Sequence, residues 1–221
     1  MQPWFSDIVL DRDGTVIEDR HYLCAPEDIR FLPGAVTALQ RLTHAGCRLF
    51  VLTNQSGIGR GYFSQEQYHA VQRHLDQLLA HYGIVLNASL FCPHAPSAAC
   101  SCRKPAPGML RALEHDHGLV PRRSIVIGDK RSDLQLAQTG ELAGAILVAT
   151  GKGEETAQSL DLAPLQHHAY REGEYAPGIG HFVFARDLTA AAQWLVPDLP
   201  LGKKEKADVV PPASGLTFTH T

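Results

Sequence analysis

Short apolar runs alternate with longer segments of helical period along most of the chain. Each apolar run is too short to be a helix on its own, whereas the segments between the runs repeat apolar residues at helical spacing. Alternation of this kind is typical of βα units that build a parallel sheet. It predicts an α/β fold, a Rossmann-like, doubly wound and mainly parallel sheet with helices on both faces. The predicted strands are residues 5–10, 47–53, 88–92, 124–129 and 144–149.

The segments between the strands carry signals for the start and the end of helices. Ser64 and Gln67 have the spacing of a capping box, and Gly83 ends the same segment. Gly46 is a C-terminal cap for the segment before it. Helices are therefore predicted at residues 34–46 and 64–83, at about 108–117 and at about 131–139.

The alternation of short apolar runs and segments of helical period stops after Gly151 and returns near the end of the chain. Residues 154–180 are polar and punctuated by Gly and Pro, which predicts a loop insertion. A strand at 181–185 and a helix at 187–196 follow, whereas the composition of 201–221 predicts a disordered tail. We expect one domain over residues 1–200, with no large cap domain, because the stretches that follow the segments DRDGT and TNQSG hold only about twenty and fifty residues.

Composition changes this picture little, but it excludes several classes of protein. The chain has 221 residues, of which 44% are hydrophobic and 19% are charged, and its formal net charge is -3. These values are ordinary for a globular protein, and they argue against disorder and against a nucleic-acid partner. The start lacks the features of a signal peptide, and no stretch reaches the roughly 20 apolar residues of a membrane helix. We expect a cytoplasmic monomer that does not bind membranes.

Two carboxylates follow the first predicted strand directly, in the segment DIVLDRDGTV. Asp11 and Asp13 lie at the carboxyl end of the strand, where open α/β sheets bind ligands. In an extended chain both face one pocket, while Arg12 between them turns aside. A bound Mg²⁺ ion relieves the repulsion between two such carboxylates and has further coordination positions that phosphate oxygens can occupy. The pattern predicts a magnesium site in which Asp11 is a nucleophile and Asp13 is a general acid and then a base.

The alternative for this segment is a connection from strand to turn, in which Asp-Arg-Asp-Gly supplies turn residues only. The complete order Asp-x-Asp-Gly-Thr is rare, however. After an apolar strand it resembles the first signature of the haloacid dehalogenase superfamily of phosphotransferases. Three later segments resemble the other motifs of that superfamily, in the same order.

The resemblance implies a role for each of the later motifs. Thr53 and Asn54, in the second motif, would hold phosphate oxygens, and Lys104, in the third, would stabilise a phosphorylated aspartate. Asp129, in the fourth motif, would bind the magnesium. Singly, such residues are also typical of caps, turns and solvated surface.

The chemistry of two further residues near these motifs predicts a role for each. Arg103 has the planar fork that suits a second anionic part of a substrate. Asp133 is expected to orient Lys130 or a metal-bound water.

Three cysteines and one histidine crowd into eleven residues, CPHAPSAACSC. The four residues form two alternating pairs, so that both members of a pair can face one point. Three thiolates and one imidazole complete a tetrahedral zinc site with no open position, which predicts a structural site. A disulfide and a set of free thiols are the alternatives. The predicted zinc ligands, in a loop over residues 92–104, are Cys92, His94, Cys100 and Cys102.

The zinc loop narrows the resemblance to two groups, the D-glycero-D-manno-heptose 1,7-bisphosphate 7-phosphatases and the histidinol-phosphate phosphatases. The segments TNQSGIGRGYF and EDRHYLCAPEDIRFLPG are similar to the heptose group, although His21 stands where that family commonly has Gly. The implied flap over the sugar is Asp19, Arg20, His21 and Tyr22, with Gln55 and Ser56 nearby. Arg12, Asn54, Arg103 and Lys130 complete the predicted substrate-binding set.

These observations predict a phosphatase that depends on Mg²⁺, contains structural Zn²⁺ and acts on a small phosphosugar. The resemblance implies removal of the 7-phosphate of D-glycero-D-manno-heptose 1,7-bisphosphate, for the synthesis of nucleotide-activated heptose used in surface polysaccharides. Two alternatives stay open at this point. One is a histidinol-phosphate phosphatase, and the other is a noncatalytic scaffold that binds phosphorylated ligands.

Overall fold

A computed structural model describes residues 5–173 and 180–197. Its seven strands are β1 (Asp7–Leu10), β2 (Arg48–Asn54), β3 (Ala88–Cys92), β4 (Ser124–Gly128), β5 (Gly144–Val148), β6 (Tyr170–Gly173) and β7 (His181–Ala185). They form one sheet in the order β3-β2-β1-β4-β5-β7-β6. All neighbours are parallel except β6, which pairs antiparallel with β7 at the edge. The predicted α/β class and its mainly parallel sheet are confirmed.

Seven helices surround this sheet in the described part of the chain. They are α1 (Ala35–His44), α2 (Ser56–Gly59), α3 (Gln65–His81), α4 (Gly108–His117), α5 (Arg131–Thr139), α6 (Gly153–Ser159) and α7 (Leu188–Leu195). Buried residues of α1, α3 and α7 share one core cluster, and those of α4, α5 and α6 share another. The helices therefore cover both faces of the sheet. Ser64 and Gln67 form the predicted capping box at the start of α3.

Strand β1 shows how the two cores are divided. Ile8 and Leu10 belong to one core and Val9 to the other, and all three side chains are fully buried. This is the result of side chains alternating between the faces of a sheet that is covered on both sides. The chain continues from β1 to β2 on one side and reaches β4 on the other. The carboxyl end of β1 is therefore a topological switch point, where such sheets bind ligands.

The prediction of a loop insertion over residues 154–180 needs a correction. Most of α6 lies in this stretch, and β6 extends the sheet at its edge. Only Gly153, Thr156 and Ala157 of α6 are buried, and β6 is half exposed. Elements that bury so few residues need no long apolar pattern in the sequence, so no such pattern predicts them. Residues 174–179 of the predicted insertion and the predicted tail at 201–221 lie outside the described residues.

The segment between β1 and α1 contains a single short 3-10 helix, Pro26–Asp28, and no cap domain. Short loops therefore border the carboxyl end of the sheet. Within the described residues, no helix combines the length and the apolar composition that crossing a membrane requires.

Candidate active site

Asp11 lies at the switch point and forms an ion pair with a buried lysine. Its main-chain N–H donates to Ile127 on β4 at 2.9 Å, which holds the residue between two strands. Lys104 Nζ lies 2.7 Å from Asp11 Oδ1 and also donates to the main-chain oxygen of Leu52 at 2.6 Å. Burial opposes ionisation of Asp11, but the charges of Lys104 and Lys130 outweigh it, so the pKa of Asp11 lies well below its ordinary value. Asp11 is thus an anion, the form a nucleophile requires.

Lys104 reaches Asp11 because Asn54 holds its main chain. Asn54 Nδ2 donates to the Lys104 oxygen at 3.1 Å, and the Lys104 N–H donates back to Asn54 Oδ1 at 3.0 Å. Asn54 also lines the cavity beside Asp11. The pair of hydrogen bonds connects the end of β2 to the loop before α4. The sequence predicts Asn54 as a phosphate contact, whereas this link depends on residues that are 50 positions apart in the chain.

The Asp13 carboxylate accepts hydrogen bonds from four donor atoms and does not belong to the cluster of carboxylates formed by Asp11, Asp129 and Asp133. Thr53 Oγ1 and Gln55 Nε2 donate to Oδ2 at 3.3 and 2.8 Å. Arg12 donates from Nε and Nη2, both at 3.1 Å. The predicted role of Asp13 as a magnesium ligand stays a prediction, and the atom of Asp13 that contacts Lys130 Nζ is its main-chain oxygen. The carboxylate still lines the cavity, where it is available for proton transfer.

Arg12 belongs to the protein interior and does not line the cavity. Its side chain is 1% exposed and its guanidinium lies 5.2 Å from the centre of the Tyr68 ring on α3. The structure therefore places Arg12 outside the cavity that most of the predicted substrate-binding residues line, and its side chain turns aside as the alternation predicts. Its planar guanidinium group binds both carboxylate oxygens of Asp13 instead.

Lys130 Nζ marks a cation position among oxygen atoms. It lies 2.9 Å from the main-chain oxygen of Asp13, 2.9 Å from Asp129 Oδ1 and 3.3 Å from Asp11 Oδ2. Burial and then the charge of Asp11 raise the pKa of Asp129 to about 7. Hard oxygen donors around a buried excess of carboxylates are what Mg²⁺ requires. The residues therefore fit a magnesium ion in place of the ammonium group.

Asp133 is the third member of this cluster of carboxylates, whose oxygens lie within 4.8 Å of one another. Its Oδ1 is 2.7 Å from Lys104 Nζ, and its Oδ2 accepts from the main-chain N–H of Lys130 at 3.1 Å. The predicted orienting role thus falls mainly on Lys104. For Lys130 the contact with Asp133 involves only the main-chain N–H.

A cavity of about 280 Å³ opens above Asp11. Most of the predicted site residues line it, and three lining residues were missed by the sequence analysis. Arg20 is not among them, because it is exposed and pairs with Glu18 at 3.1 Å. The predicted residues that line the cavity are Asp11, Asp13, Asp19, His21, Tyr22, Thr53, Asn54, Gln55, Ser56, Arg103, Lys104 and Lys130, and the missed ones are Leu23, Gly57 and Ser132.

One missed residue, Gly57, had a signal in the segment NQSG. A Cβ atom at Gly57 would overlap the rings of Tyr22 and Phe63. Only glycine leaves space for the flap residue Tyr22 to pack here. The Tyr22 ring lies 4.6 Å from the ring of Tyr62 and 6.5 Å from that of Phe63, centre to centre. His21 and Tyr22 both have positive φ, 45° and 68°, so the flap turns sharply at the mouth of the cavity.

The structure brings the four predicted zinc ligands together. Cys102 Sγ lies 3.2 Å from Cys92 Sγ, 3.6 Å from Cys100 Sγ and 3.2 Å from His94 Nδ1. A tetrahedral zinc ion with Zn–S bonds of about 2.3 Å needs sulfurs about 3.8 Å apart, so the cluster fits zinc after small shifts. No described cysteine is in a disulfide. The loop also supports the cavity, because Arg103 Nη1 donates to the His94 main-chain oxygen at 3.4 Å.

Comparisons with known proteins agree with this geometry. The model of the HAD-hydrolase-like family matches residues 101–171. The D-glycero-beta-D-manno-heptose-1,7-bisphosphate 7-phosphatase of Haemophilus ducreyi is 40% identical over 152 residues, which are 66% of this chain and 84% of that protein. The protein of the same name from Escherichia coli K12 is 36% identical over 66% of this chain and 80% of its own length.

A solved structure of a protein with a similar name also resembles this chain in its fold. The D,D-heptose 1,7-bisphosphate phosphatase of B. bronchiseptica, complexed with magnesium and phosphate, has a TM-score of 0.73 and 32% identity. The match covers 88% of this chain and all of that one. The chain therefore belongs to the D-glycero-D-manno-heptose-1,7-bisphosphate 7-phosphatase family of haloacid dehalogenase-like hydrolases, and it is a phosphatase.

Proposed function

We propose that this phosphatase hydrolyses the 7-phosphate of D-glycero-D-manno-heptose 1,7-bisphosphate through a phosphorylated Asp11. The observation that carries the proposal is the ionised Asp11 carboxylate at the floor of the cavity, held between Lys104 and Lys130. The names and magnesium complex of the relatives support the substrate and the metal. The product would serve the synthesis of nucleotide-activated heptose for surface polysaccharides in the cytoplasm.

Asp11 would act as the nucleophile at phosphorus. Its Oδ1 is held by Lys104, and its Oδ2 faces the cation position. Mg²⁺, bound by Asp11, the main-chain oxygen of Asp13 and Asp129, would neutralise charge on the transferring phosphoryl group. Lys104 would stabilise the same charge from the opposite side. Phosphoryl transfer needs little more from a protein than such positioning and charge stabilisation.

Asp13 would move the protons. It would protonate the sugar oxygen as the bond to phosphorus breaks, and it would then take a proton from the water that hydrolyses the phosphorylated Asp11. Thr53 and Gln55 keep its carboxylate at the side of the cavity, away from the cation position. Thr53 would also contact phosphate oxygens, as predicted from the sequence.

The zinc loop would act at a distance from the chemistry. Cys102, the last zinc ligand, directly precedes Arg103 and Lys104. A zinc ion would fix this turn, which has few apolar residues to pack. Arg103 would contact the second phosphate or a hydroxyl of the sugar, and Lys104 would stay on Asp11. The flap residues Asp19, His21 and Tyr22 would close over the sugar.

The proposal is tested by comparing phosphate release from heptose 1,7-bisphosphate and from histidinol phosphate under the same conditions. We expect the heptose substrate to have the larger kcat/KM and to lose the phosphate at carbon 7, which phosphorus NMR of the product identifies. Faster hydrolysis of histidinol phosphate, or release from carbon 1, would contradict the proposed substrate.

A further inference from the structure

The loop after β5 surrounds one oxygen of Asp129. The main-chain N–H of Lys152 donates to Asp129 Oδ2 at 2.8 Å, whereas Oδ1 faces Lys130 Nζ. The two oxygens of this buried carboxylate are therefore in different surroundings. One is engaged by the backbone, and the other faces the cation position.

Two glycines complete the surroundings of Oδ2. A Cβ atom at Gly14 or at Gly151 would overlap Asp129 Oδ2, and the two glycines also pack on one another. Their φ angles are +94° and +56°, which side chains rarely adopt. The carboxylate oxygen thus lies in a narrow slot, which we define as Gly14, Gly151 and the N–H of Lys152.

Two threonine hydroxyls hold this slot in place. Thr150 Oγ1 donates to the main-chain oxygen of Gly14 at 2.7 Å, which joins the loop to the segment that carries Asp13. Thr156 Oγ1 donates to the main-chain oxygen of Asp129 at 2.9 Å. Thr156 is buried in α6, within the stretch for which the sequence predicts only a loop insertion. Both hydroxyls therefore act on the backbone of the site.

We propose that residues 150–156 are a positioning element that makes Asp129 a ligand with one free oxygen and thereby favours Mg²⁺ over Ca²⁺. The inference rests on the proposed function in one respect, that Asp129 binds the divalent cation. Ca²⁺ accepts six to eight ligands, often with both oxygens of a carboxylate, whereas Mg²⁺ demands a compact octahedron and few carboxylates. A carboxylate whose second oxygen is enclosed by the slot suits the smaller ion.

The test measures cation binding without turnover. Mn²⁺ alone is the probe, its free concentration is measured by electron paramagnetic resonance, and Mg²⁺ and Ca²⁺ are added as competitors. In Thr156→Val, which keeps the shape and removes the hydroxyl, we expect Mg²⁺ affinity to fall about 10-fold, as for other partners of metal ligands. The ratio of Ca²⁺ to Mg²⁺ dissociation constants should fall as well, because the slot loosens.

Two comparisons separate this effect from a general loss of stability. Thr156→Ser keeps the hydroxyl and should bind Mg²⁺ as the wild type does. Thr189→Val removes a hydroxyl that donates to the Gly34 main-chain oxygen at 3.3 Å, outside the site, and should change neither affinity nor ratio. Thr150→Val is a second variant of the slot and should shift both values in the same direction as Thr156→Val.

The outcomes distinguish the inference from the function on which it rests. Unchanged Mg²⁺ affinity and an unchanged ratio in both Thr156→Val and Thr150→Val would overturn the role of residues 150–156 alone. A wild-type protein that binds no Mn²⁺ would overturn the proposed metal site and this inference with it. An equal loss of affinity for Mg²⁺ and Ca²⁺ would refute the selectivity that we assign to the slot.

Discussion

Lys104 and Asp133 form a buried ion pair of 2.7 Å, in which the lysine is shared with Asp11 at the same distance. The side chains of all three residues are at most 5% exposed. Burial lowers the pKa of Lys104, but the charges of Asp11 and Asp133 outweigh burial, so its pKa lies above the ordinary value. The charged lysine therefore has two carboxylate partners, and in the proposed mechanism Asp133 would keep it in place when phosphorylation of Asp11 consumes the charge of that residue.

This relationship predicts the effect of Asp133→Asn. We expect slower formation of the phosphorylated enzyme, by about 10²-fold, which is the loss that a misplacement of ~1 Å can cause. Rapid-quench measurement of phosphorylated protein gives the rate. Asp161→Asn, a change of an exposed residue, is the matched control and should have no effect. A normal rate in Asp133→Asn would show that Asp11 and the Leu52 main-chain oxygen position the lysine without Asp133.

The proposed nucleophilic role of Asp11 predicts that Asp11→Asn forms no phosphorylated protein. Asparagine keeps the shape but lacks the anionic oxygen that attacks phosphorus, so kcat should fall by about 10⁴-fold or more. Acid quenching with radioactive substrate should detect the proposed intermediate in the wild type. Asp28→Asn, at an exposed position of the 3-10 helix, is the control. Labelling of the Asp11→Asn protein would assign the nucleophile to another residue.

The contact between Arg12 and Asp13 predicts a loss that depends on the leaving group. Arg12→Lys keeps the charge but removes the planar fork, so Asp13 would be held less accurately for protonation of the sugar oxygen. Hydrolysis of the sugar phosphate should fall more than that of p-nitrophenyl phosphate, whose leaving group needs no proton. An equal loss for both substrates would show that Arg12 only stabilises the fold.

The zinc cluster predicts the behaviour of Cys102→Ser. The variant should lose zinc, as measured by elemental analysis, and its melting temperature should fall because metal binding is coupled to the folding of the loop. Its kcat should also fall, because Lys104 follows two residues later. Cys24→Ser is the control, since Cys24 is free and outside the cluster. Full zinc content in Cys102→Ser would remove this residue from the ligand set.

The flap predicts different effects for two changes of Tyr62. An aromatic pair contributes about 0.5–1.5 kcal/mol beyond the area that it buries, which corresponds to roughly 2- to 10-fold in affinity. Tyr62→Ala, which removes the ring next to Tyr22, should therefore raise KM by this factor and change kcat little. Tyr62→Phe should keep the wild-type KM. Equal KM values for the three proteins would show that Tyr62 does not support the flap.

Local pattern was sufficient for the positions of most elements. Strand β3 and helices α4 and α5 begin and end at the residues predicted, because short apolar runs and capping signals are encoded by neighbours in the chain. The same reasoning failed for α6 and β6. Their short, polar segments acquire structure from contacts with β5 and β7, which no local pattern shows.

The sequence by itself determined which chemical groups the chain carries and at which strand ends they lie, since strand ends follow from local periodicity. Only the tertiary structure decided which atom of each residue faces the site and which side chains turn into the protein interior. Asp13 faces the cation position with its main-chain oxygen, Arg12 turns inward to Tyr68, and residues 150–156 enclose one oxygen of Asp129. These choices depend on donors and glycines that are distant in the chain and meet only when the sheet assembles.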